Sequence, residues 1–598
     1  MTACSSGEQS KAPPEAQKPT LAEAQAFIDR ANAQLLDLGT KGQRAAWVQE
    51  TYINDDTEAL NADANDALIG ATTKLIHEAQ RFEASPLPAD LARQFLLLKL
   101  SLTMPAPADA SERTELTKVA ASLDAEYGKG KYCPTSGPFA GKCMGQSEMG
   151  HAFAITRDPA VLQDLWIGWH KIGAPLRTKY ARLVELSNKG AREIGFADVG
   201  ALWRAGYDMT PDQFRDETHR LWEQVKPLYL SLHAYVRGAL VKKYGAAAVP
   251  EGGLLPAHLL GNIWAQEWGN INELVAPPQQ KKSYDVTELL AAKKVKPLEM
   301  VHYGESFFTS LGFAPLPKTF WERSLFVRPA DRDVVCHASA WDLDSVDDLR
   351  LKMCIKIDAE DFETVHHELG HNFYQRAYNT LPFLFRNGAN DGFHEAIGDT
   401  IALSITPAYL HDVGLLPNVP AASPEEDRSL LLRQAMDKIA FLPFGLLIDE
   451  WRWKVFSGEI KSTEYNQAWW DLRAKYQGIA PPVARTEQDF DPGAKYHIPG
   501  NVPYMRYFLA RLYQFQFYRG MCRASGHTGP LHRCSFFNSK PAGEKLAAML
   551  KLGQSKPWPE ALKTLTGEDR LDGNAMMEYF APLKTWLDEQ TKGQKIGW

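Results

Sequence analysis

The chain has 598 residues, of which 44% are hydrophobic, and this length and composition are ordinary for a globular protein of one or several domains. Its 73 acidic and 66 basic residues leave a net charge of −7, and no basic run is long enough for a nucleic-acid-binding surface. The longest nearly unbroken apolar run, at residues 439–448, is about half of what a membrane-spanning helix needs, and no repeat of fixed period indicates a solenoid. The sequence therefore gives no support for nucleic-acid binding, for a membrane-spanning helix or for a solenoid fold.

Residues 1–19 form a polar tail, with Cys4 near its start. Small residues before a cysteine and a polar tether after it resemble the end of a bacterial lipoprotein signal, although the apolar core of such a signal is missing. Either the sequence begins inside that signal or Cys4 is incidental. We expect a flexible tail in which Cys4 is a candidate for a lipid anchor.

Apolar periodicity predicts a mostly helical chain with a minor sheet. Thr20 and Glu23 form a capping box that opens a helix expected to end at Gly39. Further helices are predicted at about residues 43–82, 88–102, 112–126, 157–194, 211–244, 425–455 and 503–520. Short strands are predicted near residues 334–335, 353–357 and 496–498.

Six of the seven cysteines fall into three pairs that are close in sequence: Cys133 with Cys143, Cys336 with Cys354, and Cys522 with Cys534. Pairing in this order would close three short loops, each worth about 3 kcal/mol in the chain-entropy model. Such pairing indicates an oxidising compartment. The alternative is six reduced, buried thiols in a cytosolic enzyme.

The stretch His367-Glu368-x-x-His371 has the spacing of a catalytic zinc site. Positions i and i+4 of a helix share a face, so both histidines can direct a ring nitrogen at one ion. Glu368 then lies where its carboxylate can take a proton from a bound water. Asp358 provides an N-cap for this helix. The alternative is a surface helix with two solvated histidines.

Residues 387–399 predict a turn-rich loop that leads into a second helix, which ends before Pro407. Glu395 and Asp399 share one face of that helix. A catalytic zinc site needs a third protein ligand, which Glu395 can supply, and Asp399 can hold the far nitrogen of His367. The alternative is that both acids are ordinary surface charges.

Residues 491–507 carry a further group of polar side chains. In an extended segment Lys495 and His497 would face the same side. Pro503 can open a helix on which Tyr504 and Tyr507 share a face. We expect these four side chains to converge on one cleft. The alternative is a solvated edge strand beside a core helix.

Five stretches closely resemble the angiotensin-converting enzyme family of zinc peptidases: residues 336–342, 366–371, 392–399, 491–499 and 526–532. The resemblance runs from about residue 20 to the end of the chain. It implies one catalytic domain at residues 20–598, where the animal somatic enzyme has two. The implied fold is a mostly helical, gluzincin-type ellipsoid of two lobes with a deep central cleft, covered by N-terminal helices. The tail looks like that of an exported bacterial member, in the periplasm or cell envelope.

The resemblance also implies a role for each matching residue. The zinc ligands would be His367, His371 and Glu395, with Glu368 as general base and Asp399 holding His367. His497 would be the proton donor, and Tyr507 the phenol that stabilises the oxyanion. His337 and the backbone of Ala338 would hold the substrate chain. The substrate's terminal carboxylate would be bound by Gln266, Lys495 and Tyr504.

Chloride activates animal members of the family through two anion sites. Tyr207 and Arg506 match one of them. At the other, Trp469 and Arg473 remain, but His170 stands where the family has an arginine. A histidine is largely neutral near neutral pH. We therefore expect activation through the site at Tyr207 and Arg506 alone.

Gln266 predicts the length of the released product. The branch of the family that removes single residues has an arginine at this position, which reaches inward. Because the chain keeps Gln266, we expect dipeptides to be released from oligopeptides with free C-termini. A binding protein that had lost catalysis would be expected to lose Glu368 or a zinc ligand, and all four are present.

Overall fold

The computed structural model describes residues 18–249, 253–277 and 283–598, so Cys4 and most of the predicted tail lie outside the described residues. The helices are α1 (Leu21–Thr51), α2 (Asp55–Ala79), α3 (Ala89–Leu100), α4 (Ala110–Gly128), α5 (Gln146–Ile155), α6 (Pro159–His170), α7 (Arg177–Glu193), α8 (Val199–Ala205), α9 (Pro211–Tyr244), α10 (Asn272–Val275), α11 (Val286–Ala292), α12 (Pro297–Leu311), α13 (Lys318–Arg323), α14 (Ala359–Tyr378), α15 (Phe393–Leu403), α16 (Pro407–Asp412), α17 (Pro424–Ser457), α18 (Tyr465–Leu472), α19 (Met505–Ala524), α20 (Lys540–Leu550), α21 (Trp558–Thr566), α22 (Asn574–Tyr579) and α23 (Ala581–Gln590). The strands are β1 (Leu255–Pro256), β2 (Ser339–Asp342), β3 (Leu349–Lys352) and β4 (Ile479–Ala480). The mostly helical fold class is confirmed.

The strands form two small pairs that differ from the predicted ones. β2 pairs antiparallel with β3, and β1 pairs parallel with β4. The strand predicted at residues 353–357 lies just beyond β3, since the backbone of Met353 bonds to Leu325 rather than to a sheet. Residues 334–335 are not a strand either, because the Val335 N–H donates to the Glu50 carbonyl at the end of α1. At residues 496–498 the chain makes successive turns.

Helix α1 continues past Gly39, where we expected it to end. The capping box of Thr20 and Glu23 is present at its start. A glycine inside a helix costs only about 1 kcal/mol relative to alanine, and buried side chains on both sides of it, Leu35 and Trp47, keep the helix packed. The helix predicted at 43–82 is instead divided before Asn54, which caps α2.

The remaining predicted helices are present with small changes of boundary. Those at 88–102, 112–126, 211–244 and 425–455 correspond to α3, α4, α9 and α17. The one at 157–194 is divided into α6 and α7 by a tight turn that contains Pro175. The one at 503–520 is α19, which begins two residues later than predicted.

Helices α14, α15, α17 and α19 pack together at the centre of the chain. The approach of α14 to α15 is close because two glycines meet there: a Cβ on Gly370 would lie 2.9 Å from the Gly398 Cα. Almost all buried apolar side chains of the described residues belong to one continuous core that includes these helices. The tight crossing brings the His367 and His371 face of α14 against Glu395 on α15.

All three predicted cysteine pairs form disulfides: Cys133–Cys143, Cys336–Cys354 and Cys522–Cys534. Disulfides persist in oxidising environments, so they indicate a protein that works outside the reducing cytoplasm. Among the described residues, no helix combines the length and the apolar character that a membrane crossing requires.

Candidate active site

The two adjacent histidines of α14 face opposite surroundings. His366 lies in the core, with its Nδ1 2.7 Å from the Phe362 carbonyl oxygen and its Nε2 2.7 Å from the Tyr409 hydroxyl. Burial lowers the pKa of His366 to about 4, so this ring is neutral. His367, one residue on, faces α15 and the site.

His367, His371 and Glu395 form a group whose ligand atoms all lie within 4.8 Å of one another. The Nε2 atoms of the two histidines are 3.1 Å apart, and His367 Nε2 lies 3.5 Å from Glu395 Oε2. Ligand atoms about 2.0–2.1 Å from a tetrahedral zinc ion would be about 3.3 Å apart. The three side chains therefore fit a zinc ion.

Asp399 joins His367 to α19. Its Oδ1 lies 3.3 Å from His367 Nδ1, and its Oδ2 accepts a hydrogen bond of 2.8 Å from Arg511 Nη1. Burial disfavours the charged form of His367, but hydrogen bonds to Asp399 and Glu395 outweigh it and raise the pKa of His367 to about 10. The two carboxylates thus favour positive charge here, as a cation site requires.

His371 has a partner, His394, that was not among the residues predicted from the sequence. Its Nδ1 lies 3.3 Å from His394 Nδ1, and His394 Nε2 lies 3.1 Å from the Tyr378 hydroxyl. If His371 Nε2 faces a metal, its Nδ1 carries the proton and donates to His394. Burial lowers the pKa of His394 to about 3, so this ring is a neutral acceptor. The sequence offered one signal for His394, namely its position directly before Glu395.

A cavity of about 330 Å³ lies beside this group. Its walls are formed by Gln266, Glu267, His367, Glu395, Asp399, Phe441, Lys495, His497, Tyr504, Tyr507, Ala510 and Arg511. Glu368 follows His367 on α14 and is nearly buried, with 9% of its surface exposed. The structure thus brings together side chains predicted from four separate stretches of the chain.

His337 and Ala338 lie at the start of the β2–β3 hairpin and are not among the described residues that line this cavity. One contact holds the hairpin to the segment before it, and another ties it to α14. Lys352 Nζ donates to the His337 carbonyl at 2.9 Å, and Asn372 of α14 donates to the Trp341 carbonyl at 3.2 Å. The segment is therefore held against the helix that carries His367.

Lys495 and Gln266 form one pair in the cavity. Lys495 Nζ donates to Gln266 Oε1 at 2.7 Å and lies 4.0 Å from the centre of the Trp264 ring. Burial lowers the pKa of Lys495 to about 7, although Glu267 opposes this shift. The expectation of an extended segment here was wrong, because the Ile498 N–H donates to the Lys495 carbonyl in a turn. Lys495 and His497 nevertheless both line the cavity.

The rings of His497, Tyr504 and Tyr507 lie in mutual contact. The centre of the His497 ring is 4.7 Å from that of Tyr504 and 5.8 Å from that of Tyr507. Burial and the nearby cations, first among them Lys495, lower the pKa of His497 to about 2. Burial raises the pKa of Tyr507, so its hydroxyl keeps its proton.

Comparison with known families decides the relationship. Residues 18–598 match the M2 peptidase family model, described as angiotensin-converting enzyme. This chain belongs to the angiotensin-converting enzyme family. It is 42% identical to the Rattus norvegicus angiotensin-converting enzyme over 96% of its own length, and 40% identical to the Bos taurus enzyme over the same share. It spans 44% of the length of each of these two relatives. The Theromyzon tessulatum enzyme is 45% identical, with 81% of this chain and 77% of that protein covered.

One buried ion pair holds both the backbone at His497 and the start of α19, the helix that carries Tyr507. Asp449 of α17 accepts hydrogen bonds from the N–H groups of Tyr504 and Met505, at 2.8 and 2.6 Å. Arg452 Nε donates to Asp449 at 2.8 Å, and Arg452 Nη1 donates to the His497 carbonyl at 2.8 Å. This capping explains why α19 begins at Met505 rather than at Pro503. Neither Asp449 nor Arg452 was predicted from the sequence. The available signal was that charged residues follow directly after the apolar run at 439–448.

His170, Trp469 and Arg473, which we expected at the second anion site, are all buried, and Arg473 lies near enough to His170 to affect its pKa. His170 stacks on Trp166 with ring centres 3.8 Å apart, and burial lowers its pKa to about 4. Arg473 Nη2 donates to the Trp264 carbonyl at 2.6 Å, and its guanidinium lies 5.7 Å from the centre of the Trp469 ring. His170 is therefore neutral and does not replace the charge of an arginine.

Asp391 stands beside Tyr207 and Arg506, the two residues that we expected to form the first anion site. Asp391 Oδ2 lies 3.0 Å from Arg506 Nε, and the Tyr207 hydroxyl donates to the same oxygen at 3.3 Å. Asp391 was not among the residues predicted from the sequence. Its position in the turn-rich loop before Glu395 was the available signal.

Proposed function

We propose that this chain is a zinc peptidyl-dipeptidase that releases dipeptides from the free C-termini of oligopeptides. The observation that carries the proposal is that one cavity lies beside a group of three potential metal ligands and also contains the hydrogen-bonded pair of Lys495 and Gln266. The first feature suits hydrolysis, and the second suits recognition of a terminal carboxylate. Membership of the angiotensin-converting enzyme family supports both.

His367, His371 and Glu395 would hold the zinc ion. When bound, the ion supplies Lewis acidity toward the scissile carbonyl and lowers the pKa of a water. Asp399 orients His367 through its Nδ1, and His394 does the same for His371. These partners keep both Nε2 atoms directed at one point.

Glu368 is the general base, because it follows His367 on the same helix and its carboxylate can accept a proton from the attacking water. Tyr507 donates a hydrogen bond to the negative charge that develops on the scissile carbonyl oxygen. One such donor is typically worth about 3 kcal/mol in the transition state. Since burial raises the pKa of Tyr507, its proton remains available for this bond.

His497 assists departure of the amine. Its pKa of about 2 makes it neutral at rest, so it has no proton to give until the reaction delivers one. A proton that reaches His497 during the reaction is weakly held and is readily passed to the departing nitrogen. The same low pKa leaves the resting ring free of charge beside Lys495.

Lys495, Gln266 and Tyr504 bind the terminal carboxylate, and the metal ligands mark the scissile bond. Two extended residues span about 7 Å of chain, which would place the cleaved bond two residues from the end. Gln266 leaves room for this length, whereas a longer, charged side chain would reach further in. We propose that His337 and the backbone of Ala338 hold the substrate chain on the other side of the scissile bond.

Mass spectrometry of the products from a free-acid decapeptide tests the proposal. We expect successive dipeptides from the C-terminus, and a sharp fall in kcat/KM for the same peptide with an amidated end. Release of single amino acids, or equal rates on both peptides, would show that the carboxylate pocket is misplaced. No cleavage by a preparation with one zinc per chain would contradict the function itself.

We further propose that residues 20–598 act as one two-lobed catalytic domain, since the family match spans residues 18–598. We also propose export to the periplasm or cell envelope of a bacterium, which the three disulfides support. Cys4, outside the described residues, is the candidate for lipidation. Fatty-acid labelling of the wild type but not of Cys4→Ser is the expected result, and equal labelling would contradict it.

A further inference from the structure

Glu267 lines the proposed substrate cavity and directly follows Gln266 in the chain. The Trp268 N–H donates to the Met436 carbonyl at 2.7 Å, which holds this segment against α17. Ala265 has a φ of +50°, in the left-handed region that residues other than glycine rarely adopt. A fixed and unusual backbone thus presents Gln266 and Glu267 to the cavity together.

Asp437 of α17 is the acidic partner of Glu267. The two carboxyl groups are in hydrogen-bond contact, which is favourable only while one of them carries a proton. Burial, followed by the charge of Asp437, raises the pKa of Glu267, whereas Arg511 and Lys495 oppose this shift. Asn262 Nδ2 also donates to Glu267 Oε1 at 3.2 Å. The acid pair is therefore held in place and would accept a cation where the proton now lies.

No cation of the protein fills this role. Within the part of the chain that the structure describes, no lysine or arginine forms an ion pair with the Glu267 carboxylate. Asp437 lies 3.7 Å from Arg511 and 3.9 Å from Lys438, both longer than a hydrogen bond. Arg511 instead donates to Asp399 at 2.8 Å. The two acids are left for a cation that arrives with the substrate.

Phe441 gives the same part of the cavity an apolar wall. It follows Asp437 by one turn of α17, so the two side chains share a face. Its ring lines the cavity, with its centre 5.9 Å from that of Tyr504. Lysine and arginine lay their methylene groups on apolar surface and direct their charge to polar groups. A long cationic side chain would find both surfaces here.

We propose that Glu267, together with Asp437, is a specificity-determining residue that selects arginine or lysine as the last residue of the substrate. The terminal carboxylate on Lys495 brings the side chain of that residue into the same cavity. Its cation replaces the proton of the acid pair, which passes to solvent, and forms charge-assisted hydrogen bonds with the two carboxylates. The inference rests on the proposed peptidase function and adds a substrate class to it.

Two decapeptides that differ only in their last residue, arginine or citrulline, test the proposal. Citrulline has nearly the shape of arginine but no charge. We expect kcat/KM of the wild type to be at least about tenfold higher for the arginine peptide, since close charge pairs in a desolvated site couple strongly. The difference should lie mainly in KM, because this side chain does not touch the scissile bond.

Glu267→Gln keeps the size of the side chain but removes its charge. It should reduce the ratio of the two kcat/KM values at least about fivefold, and Asp437→Asn should reduce it in the same direction. Glu273→Gln is the matched control, because Glu273 is an exposed acid of α10 that pairs with Arg157 at 2.9 Å. Its ratio should equal that of the wild type. If Glu267→Gln does not fold, the ratio of Asp437→Asn decides.

Titration calorimetry measures the binding of the same two peptides without requiring turnover. It should show the arginine peptide bound more tightly by the zinc-loaded Glu368→Gln enzyme, and this preference should fall when Glu267→Gln is added. Equal kcat/KM values for the two peptides on the wild type, or an unchanged ratio in Glu267→Gln, overturn the proposal. A wild type that cleaves neither peptide refutes the proposed function instead, and equal affinities in the calorimeter then overturn the selection of a cation as well.

Discussion

Lys495 Nζ donates a hydrogen bond of 2.7 Å to Gln266 Oε1, which joins two segments that are 229 residues apart in the sequence. Gln266 supplies a polar oxygen but no negative charge. Burial can therefore lower the pKa of Lys495 to about 7, with partial opposition from Glu267. With this pKa, Lys495 is protonated in about half of the molecules near neutral pH. A bound substrate carboxylate would favour the protonated form.

The affinity for free-acid peptides should consequently fall as pH rises above about 7. Below that pH Lys495 is already protonated, whereas above it each bound carboxylate must also draw in a proton, which costs up to about tenfold in affinity per pH unit. KM for the free-acid peptide should rise through this range, while KM for the amidated peptide should not. His497 also faces Lys495 but is neutral throughout.

Lys495→Arg is the control for this pH dependence, because a guanidinium remains charged when buried. Its KM for the free-acid peptide should stay level as pH rises. Parallel profiles for the two peptides on the wild type would mean that Lys495 does not bind the terminal carboxylate.

Glu368→Gln should abolish peptide hydrolysis while one zinc per chain remains bound. The side chain is not among the three potential ligands, so its loss removes proton transfer, a contribution of about 10²–10⁴-fold, without removing the metal site. Metal analysis and turnover on the same preparation measure both. His371→Ala, which removes a ligand, should lose the zinc as well. Near-wild-type turnover of a zinc-loaded Glu368→Gln would refute the assignment.

Asp399→Asn should weaken zinc binding by about 10–100-fold, because Asp399 orients His367 and is held by Arg511. Competition with a chelator measures the affinity. Asp471→Asn, at a residue that accepts a hydrogen bond from Gln467 on α18, is the matched control and should bind zinc as the wild type does. Equal affinities for all three proteins would show that Asp399 has no part in the metal site.

Asp449→Asn should lower the free energy of unfolding by about 3–5 kcal/mol. Arg452 and Asp449 are almost fully buried, with 0% and 2% of their side chains exposed, and removing one charge leaves the other unpaired. Denaturant unfolding measures the change. Asp212→Asn breaks an exposed pair with Arg215 and should cost less than about 1 kcal/mol. If the two substitutions lower the free energy of unfolding equally, the buried pair of Asp449 and Arg452 contributes no more than an exposed pair.

The sequence by itself determined the features that depend on local spacing. The i, i+4 positions of His367 and His371, the N-cap at Asp358 and the capping box at Thr20 are set within a few residues, and each is present in the structure. The cysteine pairs were also readable, since short loops bring their partners together. Short strands were not, because isolated apolar pairs such as residues 334–335 carry too little periodicity to indicate a partner.

Only the tertiary structure decided which distant groups meet. Nothing local in the sequence places Asp449 under the first turn of α19 or Asp391 against Arg506, because each contact depends on how separate helices pack. The same holds for the charge states of the site. Lys495 and His497 would be ordinary side chains in water; burial lowers the pKa of each, and the nearby cations, first among them Lys495, lower that of His497 further.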